Sequence, residues 1–285
     1  MEKLIRTIEV GKKNKYNLPF VDFTDKQGKT TSYRFFYPSN HYILVKVIEL
    51  VKASFVRHLE DFEYRQLVSF LWIVEHKSTE KNHSKLDGLK SVSTSCLDNG
   101  FCLARMQDCN SICHDCYAGT QQARNLALNE HNLINGIILR NVLIPAKYFR
   151  GLALFNEKFV RIESFGDVQN ETQAENYIHI MQAFEDTTFA VWTKNIFTWF
   201  RVFEKCGKPI NCVFIVSSCH KNVVASLREE ITKYIDHIFT VYTEEYISKN
   251  GIDINCGGRA CKECIAQGKR CYFKGTDYHI RELLK

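Results

Sequence analysis

The chain has 285 residues, with 38 Lys and Arg against 32 Asp and Glu, ten His and twelve Cys, for a formal net charge of +6. With 45% hydrophobic and 25% charged residues, four Pro and fourteen Gly, its composition is that of a globular protein and excludes collagenous and low-complexity chains. The densest apolar run, Leu67 to Val74, is far shorter than the roughly 18–20 residues that span a bilayer. Met1-Glu2-Lys3-Leu4 does not open a secretory signal, so a soluble, cytoplasmic protein without membrane contact is expected.

Residues 1–40 are rich in β-branched and aromatic residues, with turn signals at Asp25-Lys26-Gln27-Gly28 and Pro38-Ser39-Asn40, which predicts short strands. Ile43, Val47, Ile48, Val51 and Phe55 then fall on one helical stripe. Phe62, Leu67, Phe70, Leu71 and Val74 predict a second helix, and the polar stretch Lys77 to Lys90 a connection. Ser91 to Ser95 reads as a strand, followed by a cysteine-rich loop and a long helix from Ala118 to Arg140. Phe159 to Ser164 is the next strand, with Gly166-Asp167 turning out of it. Asn170 and Gln173 are placed to cap a helix running to Glu185.

Further strands are predicted at Phe189–Thr193, Cys212–Ser217 and His237–Tyr242, with helices at Ile196–Lys205 and Val223–Tyr234. This alternation predicts an α/β fold, a partial (β/α) barrel or open parallel sheet with sites at the carboxyl ends of its strands. The expected organisation is an N-terminal α+β unit (1–88), an α/β core carrying the first cysteine motif (89–248) and a Cys-rich, metal-binding or cluster-binding extension (249–285) ending in a short polar helix. Both chain ends are basic: residues 1–18 carry five basic and two acidic residues, and residues 256–285 seven and three. Solvated ends account for this; an anionic partner such as nucleic acid is the sharper reading.

In a reducing compartment, twelve cysteines point to metal or catalysis rather than disulfides. Cys109-Asn110-Ser111-Ile112-Cys113-His114-Asp115-Cys116-Tyr117 places three thiols at x3 and x2 spacing. Thiolates suit an iron–sulfur cluster, and zinc with a fourth ligand. Cys96 and Cys102, upstream, are candidate fourth ligands, as is His114, and Asp108 is a possible oxygen ligand. A second set, Cys256, Cys261, Cys264 and Cys271, has the four thiolates that either zinc or a [4Fe-4S] cluster takes. Gly257, Gly258, Gly268 and Gly275 permit tight turns there. Arg259, Lys262, Lys269, Arg270 and Lys274 would offset the charge of such a centre. Tyr272, Phe273 and Tyr278 read as small-core residues, or as stacking platforms of a zinc-bearing nucleic-acid binder. Cys212 reads as core, Cys219-His220 as a possible contact of the site, and Lys194 as a capping or solvated residue. Arg161 and Glu163, alternating with apolar neighbours, are candidates to line a site. No phosphate-binding Gly loop, nucleophile elbow or His-Glu-x-x-His motif is found.

Cys-x3-Cys-x2-Cys followed by an aromatic resembles the signature of radical S-adenosylmethionine enzymes, which place it after the first strand of a partial (β/α) barrel. Cys113 to Ala118, with Ser164-Phe165-Gly166-Asp167, also resembles a family of phage-encoded proteins named after mycobacteriophage gene product 88. The first resemblance implies that Cys109, Cys113 and Cys116 hold a [4Fe-4S] cluster whose open iron chelates S-adenosylmethionine. One electron would then give methionine and a 5′-deoxyadenosyl radical that abstracts hydrogen, with a flavodoxin or ferredoxin as donor. The bend with Ser164, Gly166 and Asp167 would correspond to the Gly-Gly-Glu-like bend that holds the methionine amino group, and Ser217, with Ser218, would meet a ribose hydroxyl. The cysteine-rich C-terminus resembles the auxiliary-cluster extensions of such enzymes. The alternatives are a non-catalytic iron–sulfur protein with closed clusters, for electron transfer or redox sensing, and a phage-type zinc or cluster protein that binds nucleic acid. A fourth thiol at the first site, Cys102 or Cys96, would favour the closed cluster.

Overall fold

The computed structural model describes residues 16–78, 84–257, 260–276 and 278–284. Most of the basic N-terminal stretch, and Gly258 and Arg259, lie outside the described residues.

Strands β1 (Val21–Thr24) and β2 (Thr30–Tyr33) form an antiparallel hairpin. Its turn is closed by the Asp25 carboxylate, which accepts from the Gln27 and Lys29 amides at 3.0 and 2.9 Å, and by Gly28 at φ +81°, a left-handed position that favours glycine. Helix α1 (Pro38–Val56) follows. The expected turn at Pro38-Ser39-Asn40 is instead its first turn. Proline fits there because its fixed φ suits the helix and the missing N–H has no intrahelical partner. Leu44, Val47, Ile48 and Val51 bury one stripe of α1. Helix α2 (Asp61–Ser69) starts from a reciprocal Glu60–Glu63 capping box. The second predicted helix ends early: Val74 belongs to strand β3 (Ile73–Glu75).

The main sheet has the order β3-β4-β5-β6-β7-β8-β9. Its other strands are β4 (Lys90–Val92), β5 (Phe159–Ile162), β6 (Thr188–Thr193), β7 (Cys212–Ser217), β8 (His237–Tyr242) and β9 (His279–Leu283). Only β3 pairs antiparallel; β4 to β9 are parallel and follow one another in chain order. The fold is therefore an open, mostly parallel α/β sheet, and the short polar helix expected at the C-terminus is in fact its last strand.

Between β4 and β5 run α3 (Gly100–Gln107), α4 (Tyr117–Arg124), α5 (Leu126–Asn141) and α6 (Ala146–Phe149); α7 (Glu171–Ala183), α8 (Ile196–Cys206) and α9 (Glu229–Thr232) make the next three crossovers. The long helix expected from Ala118 to Arg140 is broken at Asn125, whose side chain accepts from Leu128 N–H and restarts the helix. The helix expected over Val223–Tyr234 shrinks to α9. Asn170 caps α7 as expected, accepting from Gln173 N–H at 3.0 Å, while Gln173 reaches back to the Gln169 amide at 2.9 Å.

Parity along the strands sorts the two faces. Val92, Val160, Ile162, Val191, Phe214 and Val216 pack against Ile137 and Ile138 of α5, Tyr177 and Met181 of α7, and Trp199 and Phe203 of α8. The opposite face presents Leu89, Ala190, Val213, Ile215 and Phe239, covered by Tyr272 and half-buried Cys261, Ile265 and Phe273. Helices α10 (Glu244–Asn250) and α11 (Cys261–Ala266) and a 3-10 turn (Arg270–Tyr272) lead from β8 to β9. The cysteine-rich segment is therefore a cover for one sheet face, and Tyr272 is core. No described helix is long and apolar enough to cross a membrane.

His76, just past β3, lies on the cysteine-covered side with its ring Nε2 2.9 Å from Ser91 Oγ. Burial, together with the positive charge of Arg161, pushes its pKa from 6.5 down to about 4. The unfolded chain therefore binds more protons between these values, so this contribution to stability is complete above pH 6.5 and is lost as pH falls toward 4. The urea midpoint of the wild type should drop across that window, and the drop should be smaller for His76→Asn; equal slopes would contradict the assignment.

Candidate metal centres

The first cysteine set lies over the carboxyl edge of the parallel strands. Asn132 O accepts from the Ser95 amide at 3.2 Å, fixing the exit from β4, and the next residue, Cys96, is 1% exposed. Asn99 caps α3 by accepting from Phe101 and Cys102 N–H, which carries Cys102 inward. Cys116 is the N-cap of α4, its Sγ accepting from Gly119 N–H at 3.4 Å. Between them the loop crosses to the far strands: Ile112 N–H and Ser111 Oγ both donate to Cys219 O, at 2.8 and 3.2 Å, and Ser111 forms an isolated bridge with His220. Asp108 faces His220 at 3.8 Å.

The Cys96 thiol donates to Cys116, which, with the Gly119 amide, holds the Cys116 thiol below its ordinary value and raises Cys96. Gln122 Nε2 donates to Cys96 Sγ at 3.4 Å. Burial, then the carboxylates of Asp167 and Glu163 and the neighbouring Cys116 and Cys113, raise Cys102. Cys96, Cys102, Cys113 and Cys116 thus form one electrostatically connected set, with Cys219 on its β7 side. Cys109 is exposed, whereas Cys113 and Cys116 are half-buried.

Lys194, at the end of β6, is turned into this set rather than out to solvent. Burial opposes its charge, yet Cys113, Asp167, Cys219 and Cys102 hold its pKa above the ordinary value. A desolvated ammonium among thiols is a counter-charge for a thiolate-bound centre.

The bend after β5 is built by buried polar contacts. Glu163 sits outside the strand at φ +57°, turned toward α7. Its carboxylate accepts from Thr94 N–H and Oγ1, at 3.0 and 2.7 Å, from Gln173 Nε2 at 2.8 Å, and from Tyr177. Ser164 Oγ exchanges hydrogen bonds with Ser91 and Ser93, at 2.9 and 2.8 Å. Gly166 leaves no room for a side chain: an added Cβ would stand 2.7 Å from Thr94 O. Asp167 accepts from Val168 N–H, Thr193 Oγ1 and Lys194 N–H at 2.7–2.8 Å. It therefore pins the bend to β6. Ser217 and Ser218 are buried at the end of β7.

The second set lies between α10 and β9, against the covered sheet face. Cys256 is bridged to Glu282 and donates its N–H to Arg281 O at 2.9 Å. Cys261 and Cys264 lie on α11 and Cys271 in the 3-10 turn. Cys256 and Cys261 interact electrostatically with each other and with both Cys264 and Cys271, and burial raises Cys256, Cys261 and Cys271, the last to about 12. The expected basic neighbours are mostly elsewhere: Lys262 and Lys269 are exposed, and Lys274 donates to Ile210 O. Arg270 does meet Cys264 Sγ, at 3.8 Å. Sequence order concealed Lys85, whose Nζ lies 3.5 Å from Cys256 Sγ and pairs with Glu282, and Arg161, whose charge lowers Cys261 and Cys271. Cys212 is in the hydrophobic core, as expected.

Among the described residues, no three His, Cys, Asp or Glu side chains are arranged to hold a metal ion as they stand. The donor chemistry nonetheless fits a soft metal: two sets of four thiols, each beside a half-buried lysine.

Fold and sites define a cysteine-rich, singly wound α/β protein with two thiol sets, one on the carboxyl edge and one on a sheet face. The gene product 88 family model matches residues 72–273, from β3 through the 3-10 turn, a span that includes all twelve cysteines, and the chain belongs to this family. No curated protein and no solved structure matches the chain.

Proposed function

We propose that the chain is an iron–sulfur protein with two [4Fe-4S] centres, serving electron transfer or redox sensing. One would be held by Cys96, Cys102, Cys113 and Cys116, the other by Cys256, Cys261, Cys264 and Cys271. The observation that supports this reading is the pairing of two four-thiol sets with the half-buried cations Lys194 and Lys85. Four thiolates saturate a cubane and suit it to one-electron transfer. The protein's own part is to withdraw the thiols from water and to offset their charge.

A second reading is favoured by the strand order. Six parallel strands in chain order with a cysteine loop across their carboxyl edge are the architecture implied by the radical S-adenosylmethionine resemblance. In that reading three thiols hold the cluster, one iron stays open for S-adenosylmethionine, and Ser164, Gly166, Asp167 and Ser217 border the cofactor. The group would supply a low-potential electron for cleaving a sulfonium. Asp167, already accepting three hydrogen bonds, would act by holding the bend.

The test is on anaerobically purified protein: iron, sulfide and zinc are quantified, and reduced EPR spectra recorded with and without S-adenosylmethionine. About eight irons per chain, as two cubanes require, with spectra indifferent to S-adenosylmethionine, is the expected result. Perturbation of the spectrum would select the enzyme reading. Zinc without iron would overturn both.

A further inference from the structure

The sheet face that carries the cysteine-rich cover is closed over its amino half and half-open over its carboxyl half. Ala190, Val213, Ile215 and Phe239 are buried beneath the cover, whereas Arg161, Trp192 and Val241 stay partly accessible. At the opening the Arg161 guanidinium lies over the Trp192 ring, 4.5 Å from its centroid. Its Nε is buried and has no hydrogen-bond partner, and no carboxylate pairs with it among the described residues. Its neighbours are His76, Tyr117 and Tyr272, and the thiols of Cys261 and Cys271, which become anionic only where they hold a metal. The Trp192 indole N–H and the Tyr272 hydroxyl are likewise buried without partners.

A guanidinium partly withdrawn from water without a counter-charge is unfavourable. Its planar fork matches the two oxygens of a carboxylate or phosphate. The Trp192 ring beneath the Arg161 guanidinium fixes its plane. We propose that this half-open face is a binding site for a small oxyanion, a carboxylate or phosphate group of a substrate or effector, with Arg161 as the anchoring residue. The charge of Arg161 acts on both Tyr117, next to Cys116, and Cys261, which places the site near both cysteine sets. Thiolates of a C-terminal centre, as proposed above, would share the Arg161 charge, and the test below separates the two roles.

The test is calorimetric titration of the anaerobically purified protein, its metal content measured on the same sample, with inorganic phosphate and separately with acetate. Saturable one-to-one binding of at least one probe is expected, and whichever binds tells a phosphate ligand from a carboxylate. Arg161→Gln removes the charge while keeping a polar side chain; it should weaken binding at least about tenfold. Arg161→Lys should retain part of it. Melting temperature without added anion should not fall in Arg161→Gln, because an unpaired charge is being removed. Phosphate or acetate should raise the melting temperature of the wild type alone. Two outcomes would overturn the site: no saturable binding by the wild type, or equal binding by Arg161→Gln. Loss of C-terminal metal in Arg161→Gln without any anion binding would also overturn it, making Arg161 the counter-charge of that centre.

Discussion

Glu163→Ala is expected to lower folding stability by about 3–5 kcal/mol, the range for breaking a buried, fully used polar network. The wild-type carboxylate is buried and serves donors from two elements. Thr94, just past β4, gives both its amide and its hydroxyl, and Gln173 and Tyr177 project from α7. Truncation leaves all of them in a desolvated pocket without an acceptor. The backbone at φ +57° stays strained with Ala, since only glycine takes that conformation freely. Glu163→Gln retains one accepting oxygen but turns an NH₂ group toward other donors, so an intermediate loss is expected. Comparing urea midpoints at constant m-value is the measurement. A loss under about 1 kcal/mol for Glu163→Ala would mean that the pocket admits water, and the network would then not be structural. Because Thr94 leads within two residues to Cys96, the variant should also lose metal at the first site before it loses it at the second.

Much of the fold was legible because its signals are local. The strand at Cys212–Ser217 and that at His237–Tyr242 match their predicted bounds, since apolar runs bounded by turn residues leave little choice. The errors occur where a local pattern is degenerate. Val74 continues a helical stripe yet pairs with Ser91 in a strand. Val223–Leu227 has helical composition, but only Glu229–Thr232 forms a helix.

At the candidate sites, the cysteines were visible in the sequence, while their partners from distant segments were not. Cys96 and Cys102 stood out as candidates, but only tertiary structure joins them to Cys113 and Cys116 and leaves Cys109 exposed. Lys194 reads as a surface lysine at a strand end. It faces thiols because Asp167 accepts its backbone N–H at 2.7 Å and fixes the chain there. Lys85 precedes Cys256 by 171 residues, so no spacing rule links them. The reversal of Glu163 from one sheet face to the other comes from its single left-handed residue geometry, which alternation along a strand does not reveal.

Single-cysteine variants should divide the first set sharply. Cys116→Ala and Cys113→Ala are each expected to halve the iron content, from about eight to about four per chain, leaving the C-terminal cluster in place. Cys102→Ala is expected to do the same, because half-buried Cys102 interacts electrostatically with both Cys113 and Cys116, and the proposed closed cluster needs it. Cys109→Ala is expected to retain all the iron, because its thiol is exposed and the proposed four-thiol set does not include it. Anaerobic iron and sulfide assays, with far-UV circular dichroism to confirm folding, make the comparison direct. Retention by Cys102→Ala with loss by Cys109→Ala would mean that the spacing motif closes on the metal after all. The loop held by Ser111 and Ile112 on Cys219 would then have to carry Cys109 inward, and the open-iron enzyme would replace the closed cluster. Retention in both would leave three thiols, Cys96, Cys113 and Cys116, as the ligands, with the same catalytic consequence from a different triad.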